Sequence, residues 1–130
     1  MSSLAFGRDS RLRRRAQFLR VQRQGKRVHT AHFVVVLLPC GAPDGERRLG
    51  VTVTRKVAGA VGRNRVKRVV REVFRRNREL FPMACDIVII AKTGAPSVAY
   101  ESARDELAAA SAAMRQVARR LRGAQSGPRR

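Results

Sequence analysis

The densest chemistry in the chain is a run of guanidinium groups on Arg63, Arg65, Arg68, Arg71, Arg75 and Arg76, with Lys67 among them. Arginine forks match phosphate oxygens two at a time, and a rigid fork loses little entropy on binding. Wound as a helix, residues 62–76 have two incompatible faces. Val66, Val69, Val70, Val73 and Phe74 recur at i, i+3, i+4, i+7 and i+8 and make one apolar stripe. Valine is a modest helix former, so packing on another element must hold this helix. The cations then stand outward on a fixed frame. Asn64 lies where this reading starts the helix; there it caps free backbone N–H groups or bonds a phosphate or sugar. The plainer reading is a solvated basic helix of an ordinary domain. It is disfavoured, because like charges this crowded repel unless an anion neutralises them.

Acid and base groups are few. Glu72 lies one turn from both Arg68 and Arg76, a spacing for ion pairs within the helix. Glu101 and Asp105 share a helix face near Arg104 and read as structural. Asp105 and Glu106 point to different sides, so they form no acid–base pair. His29 and His32 face opposite ways in an extended segment, too poor a set for a metal. No serine or cysteine has a base placed beside it by a recognisable motif. Cys40 and Cys85 have no metal-type spacing and read as small apolar fillers, kept reduced in the cytoplasm. The residues therefore describe an RNA binder without a nuclease site of its own.

The elements that must position these groups follow from period and punctuation. A chain of 130 residues fits one domain with a real core. A net charge of +20 and a pI near 12.0 call for a polyanion or an anionic surface. The longest apolar runs, 33–38 and 87–91, are strand-sized, and no signal core follows the N-terminal arginines, so neither a membrane span nor export is expected. Residues 1–10 read as a flexible basic arm, 11–122 as the single RNA-binding domain and 123–130 as a disordered basic tail. A first helix, opened near Ser10, runs to about Gln24 with Gly25 as its stop, and carries Phe18, Leu19 and Val21 as apolar members. Residues 28–38 are extended, with a break at Thr30. The 33–38 run is apolar on both faces, as in a covered strand. A turn-rich loop spans 39–46. Leu49, Val51 and Val53 alternate as a half-buried strand that pairs with its predecessor as a hairpin. The basic helix runs to about Glu79, and Pro82 forbids its continuation. A buried strand follows at 87–91. Ser97 then caps a last helix, from about Ala99 to Leu121. Ala103, Leu107, Ala110, Met114, Val117 and Leu121 line its inner side.

This is an α+β pattern: a single sheet of about four strands with helices, in the order α-β-β-β-α-β-α. A second surface follows from it. Phe18, Phe33 and Val36 can flank a groove, rimmed at strand ends by Thr54, Arg55, Lys56 and Lys92. An aromatic platform with a cationic rim suits single-stranded nucleic acid. For Phe33 and Val36 a core position is at least as good a reading.

The segments Thr54-Arg55-Lys56-Val57, Ala60-Val61, Arg63-Asn64-Arg65-Val66-Lys67-Arg68 and Arg71-Glu72 with Phe74 together resemble the signature of the protein subunit of bacterial ribonuclease P. A weaker likeness extends from about Arg11 to Leu107; the tails lie outside it. The Arg-Asn-Arg segment with its flanks is specific, as a lone Arg-x-Arg would not be. The resemblance implies a fold like a domain of a small-subunit ribosomal protein, with a left-handed strand–helix–strand crossover where general chirality favours the right-handed one. It implies that an RNA subunit does the chemistry, with Mg²⁺ bound mainly by that RNA and the substrate. On it, Arg63, Asn64, Arg65, Lys67, Arg68, Arg71 and Arg75 bind the RNA subunit. The groove of Phe18, Phe33, Val36, Thr54, Arg55, Lys56 and Lys92 holds the 5′ leader of precursor tRNA. It implies a cytoplasmic protein, monomeric in a one-to-one complex with the RNA, with no membrane or DNA partner. Three positions depart from the family: Gly62 for a bulky apolar residue, Gln22 for a second aromatic and Val36 for a tyrosine. Those last two shift the groove from stacking toward charge. A ribosomal-type RNA-binding protein or RNA chaperone would share the composition but would not need the Arg-Asn-Arg context. A DNA-binding module would need a helix-turn-helix partner, and none precedes this helix.

Overall fold

The computed structural model describes residues 11, 12, 14–40 and 46–125. The expected N-terminal arm, most of the 39–46 loop and residues 126–130 lie outside the described residues. The first helix begins at Arg15 and not near Ser10, because Arg11 bridges to Leu49 and the extended Arg14 precedes the first turn. Helix α1 (Arg15–Gln24) leads into strands β1 (Lys26–His29), β2 (Phe33–Pro39) and β3 (Arg47–Thr52). Helix α2 (Ala60–Arg76) and a short 3₁₀ turn (Arg78–Leu80) precede β4 (Cys85–Ala91). A second 3₁₀ turn (Ala95–Ser97) leads to α3 (Tyr100–Ala109) and α4 (Ser111–Gln125).

The four strands form one mixed sheet in the order β1-β2-β4-β3. The break at Thr30 makes β1 and β2 an antiparallel hairpin, with His29 opposite Val34. The expected hairpin between β2 and β3 does not form. Instead β4 lies between them, antiparallel to β2 and parallel to β3. The reason is burial: β4 and β2 are apolar on both faces and take the two central places, which leaves the more polar β3 at an edge.

Period-two alternation divides the core in two. Phe33, Val35, Leu37, Ile87 and Ile89 enter a larger core under α2, α3 and α4. Val34, Val36, Leu38 and Val88 enter a smaller one with Leu12 and Val21 of the α1 side. The α2 stripe packs as its spacing demands, with Val66, Val70, Val73 and Phe74 buried and Val69 packed beside them. Gly25 does end α1, yet its φ is −81°, so no left-handed conformation selects it. A Cβ there would lie 2.5 Å from the Leu37 carbonyl oxygen; glycine is needed for close approach. Helix α2 begins four residues before Asn64, at Ala60, and stops at Arg76. The last helix is broken at Ala110, which lets α4 turn onto β1 and β2. Ser97 caps nothing, for it lies inside a 3₁₀ turn and Ala99 precedes α3. Helix α4 runs past Gly123 to Gln125, so the tail expected from 123 starts as helix.

Two polar devices tie the sheet together. Arg48 clasps the buried Asp86 carboxylate through Nε at 2.7 Å and Nη2 at 2.8 Å, across the parallel β3–β4 pair. Glu106 of α3 accepts bonds from the Thr30 hydroxyl at 2.5 Å and the His32 N–H at 2.6 Å, and pairs with His32 Nδ1 at 2.8 Å. Thus Glu106 fixes the β1–β2 turn. Burial tends to raise its carboxyl, but the His32 and Thr30 hydrogen bonds outweigh that and hold it below its ordinary 4.5. A depressed folded value adds stability above the unfolded value and loses it as pH falls through the folded one. The stability gap between the parent and Glu106→Gln should therefore be widest above pH 4.5 and shrink below it. Urea unfolding at a series of pH values between 3 and 6 measures the gap; one that grew toward acid would be the wrong sign.

Candidate nucleic-acid interface

Helix α2 presents its cations in three sectors, because its other faces meet different neighbours. Asn64, Lys67, Arg68, Arg71 and Arg75, spaced three or four apart along one side, line an open groove of about 430 Å³ together with Arg11 and Glu72. Arg63 lies on one flank, where Nη1 donates to the Ala58 carbonyl at 3.0 Å. Arg65 lies on the other, with Nε 2.9 Å from the Pro96 carbonyl. Arg76 stands beyond it, its guanidinium 5.3 Å from the Tyr100 ring centre. Five of the seven residues expected to bind an RNA subunit thus share one groove, and Arg63 and Arg65 do not. Asn64 is an exposed residue inside the helix, so its expected role as a cap is corrected; its amide is free to serve the groove.

Glu72 does pair within the helix, but chiefly with Arg75 (Nη2 to Oε2, 2.5 Å), with Arg76 only at 3.9 Å and, among the described ion pairs, not with Arg68. The Arg75 hydrogen bonds, above all, hold the Glu72 carboxyl below its ordinary range. Arg71 is the converse case. Burial first, and then the charge of Arg11, push its guanidinium below its ordinary value. A cation strained in this way gains when an anion arrives. Arg11 could not be found from spacing. It joins the groove because the chain pairs beside β3, with the Leu12 N–H 3.0 Å from the Leu49 carbonyl.

On the other face of the sheet, Arg15, Phe18, Leu19 and Gln22 of α1 and Thr52 of β3 line a second groove, of about 480 Å³. Phe18 is half-buried, its ring lying against Gly50, where a Cβ would stand 2.5 Å from Cε2. Phe33 and Val36 do not line it, which corrects the expected groove. They are three apart on a strand and so face opposite ways; both are fully buried, in the larger and smaller cores. Thr54, Arg55 and Lys56 are exposed in the turn that continues from Thr52. Lys92 follows β4 at the same end of the sheet and is half-buried, its amine 2.6 Å from the Thr30 carbonyl. Leu19 is a groove residue that the sequence reading assigned only to packing.

A basic α+β protein with a mixed four-stranded sheet, a cation-lined groove on one side and an aromatic-floored groove on the other has the features of an RNA-binding protein. A family model described as Ribonuclease P matches residues 6–115. The chain is 46% identical over 97 residues to the ribonuclease P protein component of Desulfovibrio desulfuricans, covering 75% of each chain. It is 44% identical to that of a Geobacter species, over 85% of this chain and 92% of the relative. Its fold is similar to that of the ribonuclease P protein from Thermotoga maritima, with a TM-score of 0.70 at 34% identity, over 82% of this chain and 96% of that one. The Staphylococcus aureus protein gives 0.65 at 31%, over 75% and 88%. The chain belongs to the ribonuclease P protein family.

The split of the basic helix has a measurable consequence. Charge reversal of Arg68 and Arg71 together should weaken binding to RNA strongly and flatten the log–log salt dependence by about one per lost phosphate contact. Reversal of Arg63 and Arg65 should do less, since both lie on the flanks, outside the groove that the other cations line. Filter binding over a salt series checks both; equal losses would mean that the groove is not a unit.

Proposed function

We propose that this chain docks on the RNA subunit of ribonuclease P through the α2 groove and holds the 5′ leader of precursor tRNA along the α1 groove. As a member of the family, it is a protein subunit of the ribonucleoprotein endonuclease that processes tRNA 5′ ends, and its partner is the ribonuclease P RNA. The observation that carries the docking is the α2 groove: four aligned cations on a helix whose opposite side is buried, with Arg11 added from outside the helix. The leader reading rests on Phe18, Leu19 and Gln22 beside the exposed Thr54, Arg55 and Lys56. With one aromatic on its floor, that groove stacks one base and holds the rest of the strand by charge.

Phosphodiester hydrolysis at neutral pH needs a metal-activated water or a positioned acid and base. Four of the nine acids are engaged in ion pairs: Asp86 with Arg48, Glu72 with Arg75, Glu106 with His32 and Asp105 with Arg104. Among the described residues, no three His, Cys, Asp or Glu side chains gather as a metal site. We therefore assign Mg²⁺ to the RNA subunit and substrate, where it supplies the activated water. The protein contributes charge. It brings two polyanions together, one protein to one RNA, and replaces part of their ion atmosphere. The cytoplasm is its place of work. Among the described residues no helix is long and apolar enough to cross a membrane.

A Mg²⁺ titration of leader cleavage tests this, with protein alone, RNA alone and both. The protein alone should not cleave at any concentration; added to the RNA, it should lower the Mg²⁺ requirement. Cleavage by pure protein, lost in Glu72→Gln, would make it a nuclease in its own right. In the same assay Phe18→Ala should weaken binding of precursor tRNA by about 1–3 kcal/mol and leave mature tRNA nearly unaffected. Gly50→Ala should act in the same direction, because its Cβ displaces the ring. Equal losses for precursor and mature tRNA would show that the ring only packs.

A further inference from the structure

A second group of arginines lies away from both grooves. Arg47 opens β3, Arg78 sits in the turn after α2, and Arg115 and Arg122 lie two turns apart on α4. They surround the chain from 79 to 84, at the end of the sheet opposite Thr54 and Lys92. Arg47 Nε donates to the Phe81 carbonyl at 2.8 Å. Arg115 Nη1 donates to Ser111 Oγ at 2.6 Å, and its Nη2 bonds the Glu79 carbonyl. Arg122 Nη2 bonds the Met83 carbonyl and reaches that of Ala84 at 3.4 Å.

These bonds have a local role. Ala84 has a φ of 53°, the left-handed region, and its carbonyl also accepts from the Cys40 N–H at 2.9 Å. The bonds do not neutralise the charges, because carbonyls and a hydroxyl are neutral acceptors. No ion pair among the described residues involves Arg47, Arg115 or Arg122. Burial, then the charges of Arg78 and Arg115, hold the Arg47 guanidinium below its ordinary value. The exposed Glu79 carboxylate acts on it more weakly than either arginine. The forks of Arg47, Arg115 and Arg122 are thus each held in place by one or two of their N–H groups, while other donors and the whole charge remain for a partner.

We propose that Arg47, Arg115 and Arg122 form a second contact with an RNA phosphodiester backbone, separate from the α2 groove. Fixed forks with unspent charge match phosphate in both geometry and sign. Arg78 follows directly on α2, and its charge reaches Arg47, so positive surface continues from that helix toward α4. Arg122 lies beyond the residues that the family model matches, so the contact includes a part of the helix outside the family pattern. The proposal rests on the chain's being an RNA-binding subunit.

The test uses the full chain and its ribonuclease P RNA. The double variant Arg115→Gln with Arg122→Gln removes two charges and, because the glutamine amide ends short of the Nη2 position, their carbonyl bonds as well. The log–log salt slope of RNA binding should fall by about one to two units, measured at a temperature where circular dichroism shows the variant folded. Binding at low salt should persist, whereas Arg68→Glu with Arg71→Glu should weaken it; that contrast separates failure of this contact from failure of the α2 dock. A parallel measurement needs no variant: arginine modification by a dicarbonyl reagent, read by mass spectrometry, with and without RNA. Protection of Arg115 and Arg122 by the RNA supports the contact even if the double variant proves unstable. An unchanged salt slope in a folded variant, equal reactivity with and without RNA, or protection by polyglutamate but not by RNA would each overturn it.

Discussion

The placement of β4 between β2 and β3 is the constraint from which the rest of the molecule follows. β4 is an apolar strand of seven residues, with six of them buried, so it needs cover on both faces and a partner on both edges. An antiparallel neighbour is available in β2. The other neighbour, β3, is parallel, and a parallel pair cannot be joined by a tight turn. Helix α2 is the crossover that this pairing demands. Its apolar stripe must therefore lie on the sheet, and its cations are directed away from it. The clasp of Arg48 on Asp86 sits across the same pair and satisfies a carboxylate that would otherwise be buried alone.

A chain with a net charge of +20 must hold many like charges on a small surface without losing its compact form. The structure does this largely by bonding arginines to neutral backbone oxygens. Arg63 to Ala58, Arg65 to Pro96, Arg47 to Phe81 and Arg122 to Met83 are all of this kind. Each bond fixes a fork and satisfies a carbonyl at a turn or helix end, but leaves the positive charge in place. The few carboxylates are spent where a cation must be aimed, as Glu72 aims Arg75. Such an arrangement lowers the ordering cost of binding a polyanion, since the side chains are already held.

In the proposed reading the two faces of the sheet suit different RNA chemistries. On the α2 side a helix presents rigid charge that matches a folded RNA, whose backbone offers phosphates at fixed spacing. On the α1 side a thin layer covers a small core, and its helix leaves Phe18 and Leu19 only half-buried. Glycine at position 50 lets the Phe18 ring rest directly on the strand. That geometry suits an unpaired strand, which can offer a base face and bend to follow charge.

The sequence by itself determined what depends on local period and composition. The amphipathic division of α2, the covered strands at 33–38 and 87–91, the break at Thr30 and the pairing of Glu72 within its helix were all legible, because spacing along one element decides them. The family was legible too, from the Arg-Asn-Arg segment and its flanks. Strand order was not. The alternation at Leu49, Val51 and Val53 names a face but not a partner, and a β2–β3 hairpin was as consistent with it as the insertion of β4. Phe33 and Val36 were left between groove and core because residue type does not say which side of a sheet a central strand shows; only the cover on both sides makes them core. Asn64 was placed at the helix start, as a cap or a phosphate contact, because propensity marks helix starts weakly, and α2 in fact begins at Ala60. Arg11 entered the basic groove, and Arg47, Arg115 and Arg122 met around one turn, through contacts between elements far apart in the chain. Such meetings are decided by long-range burial, which no local period records.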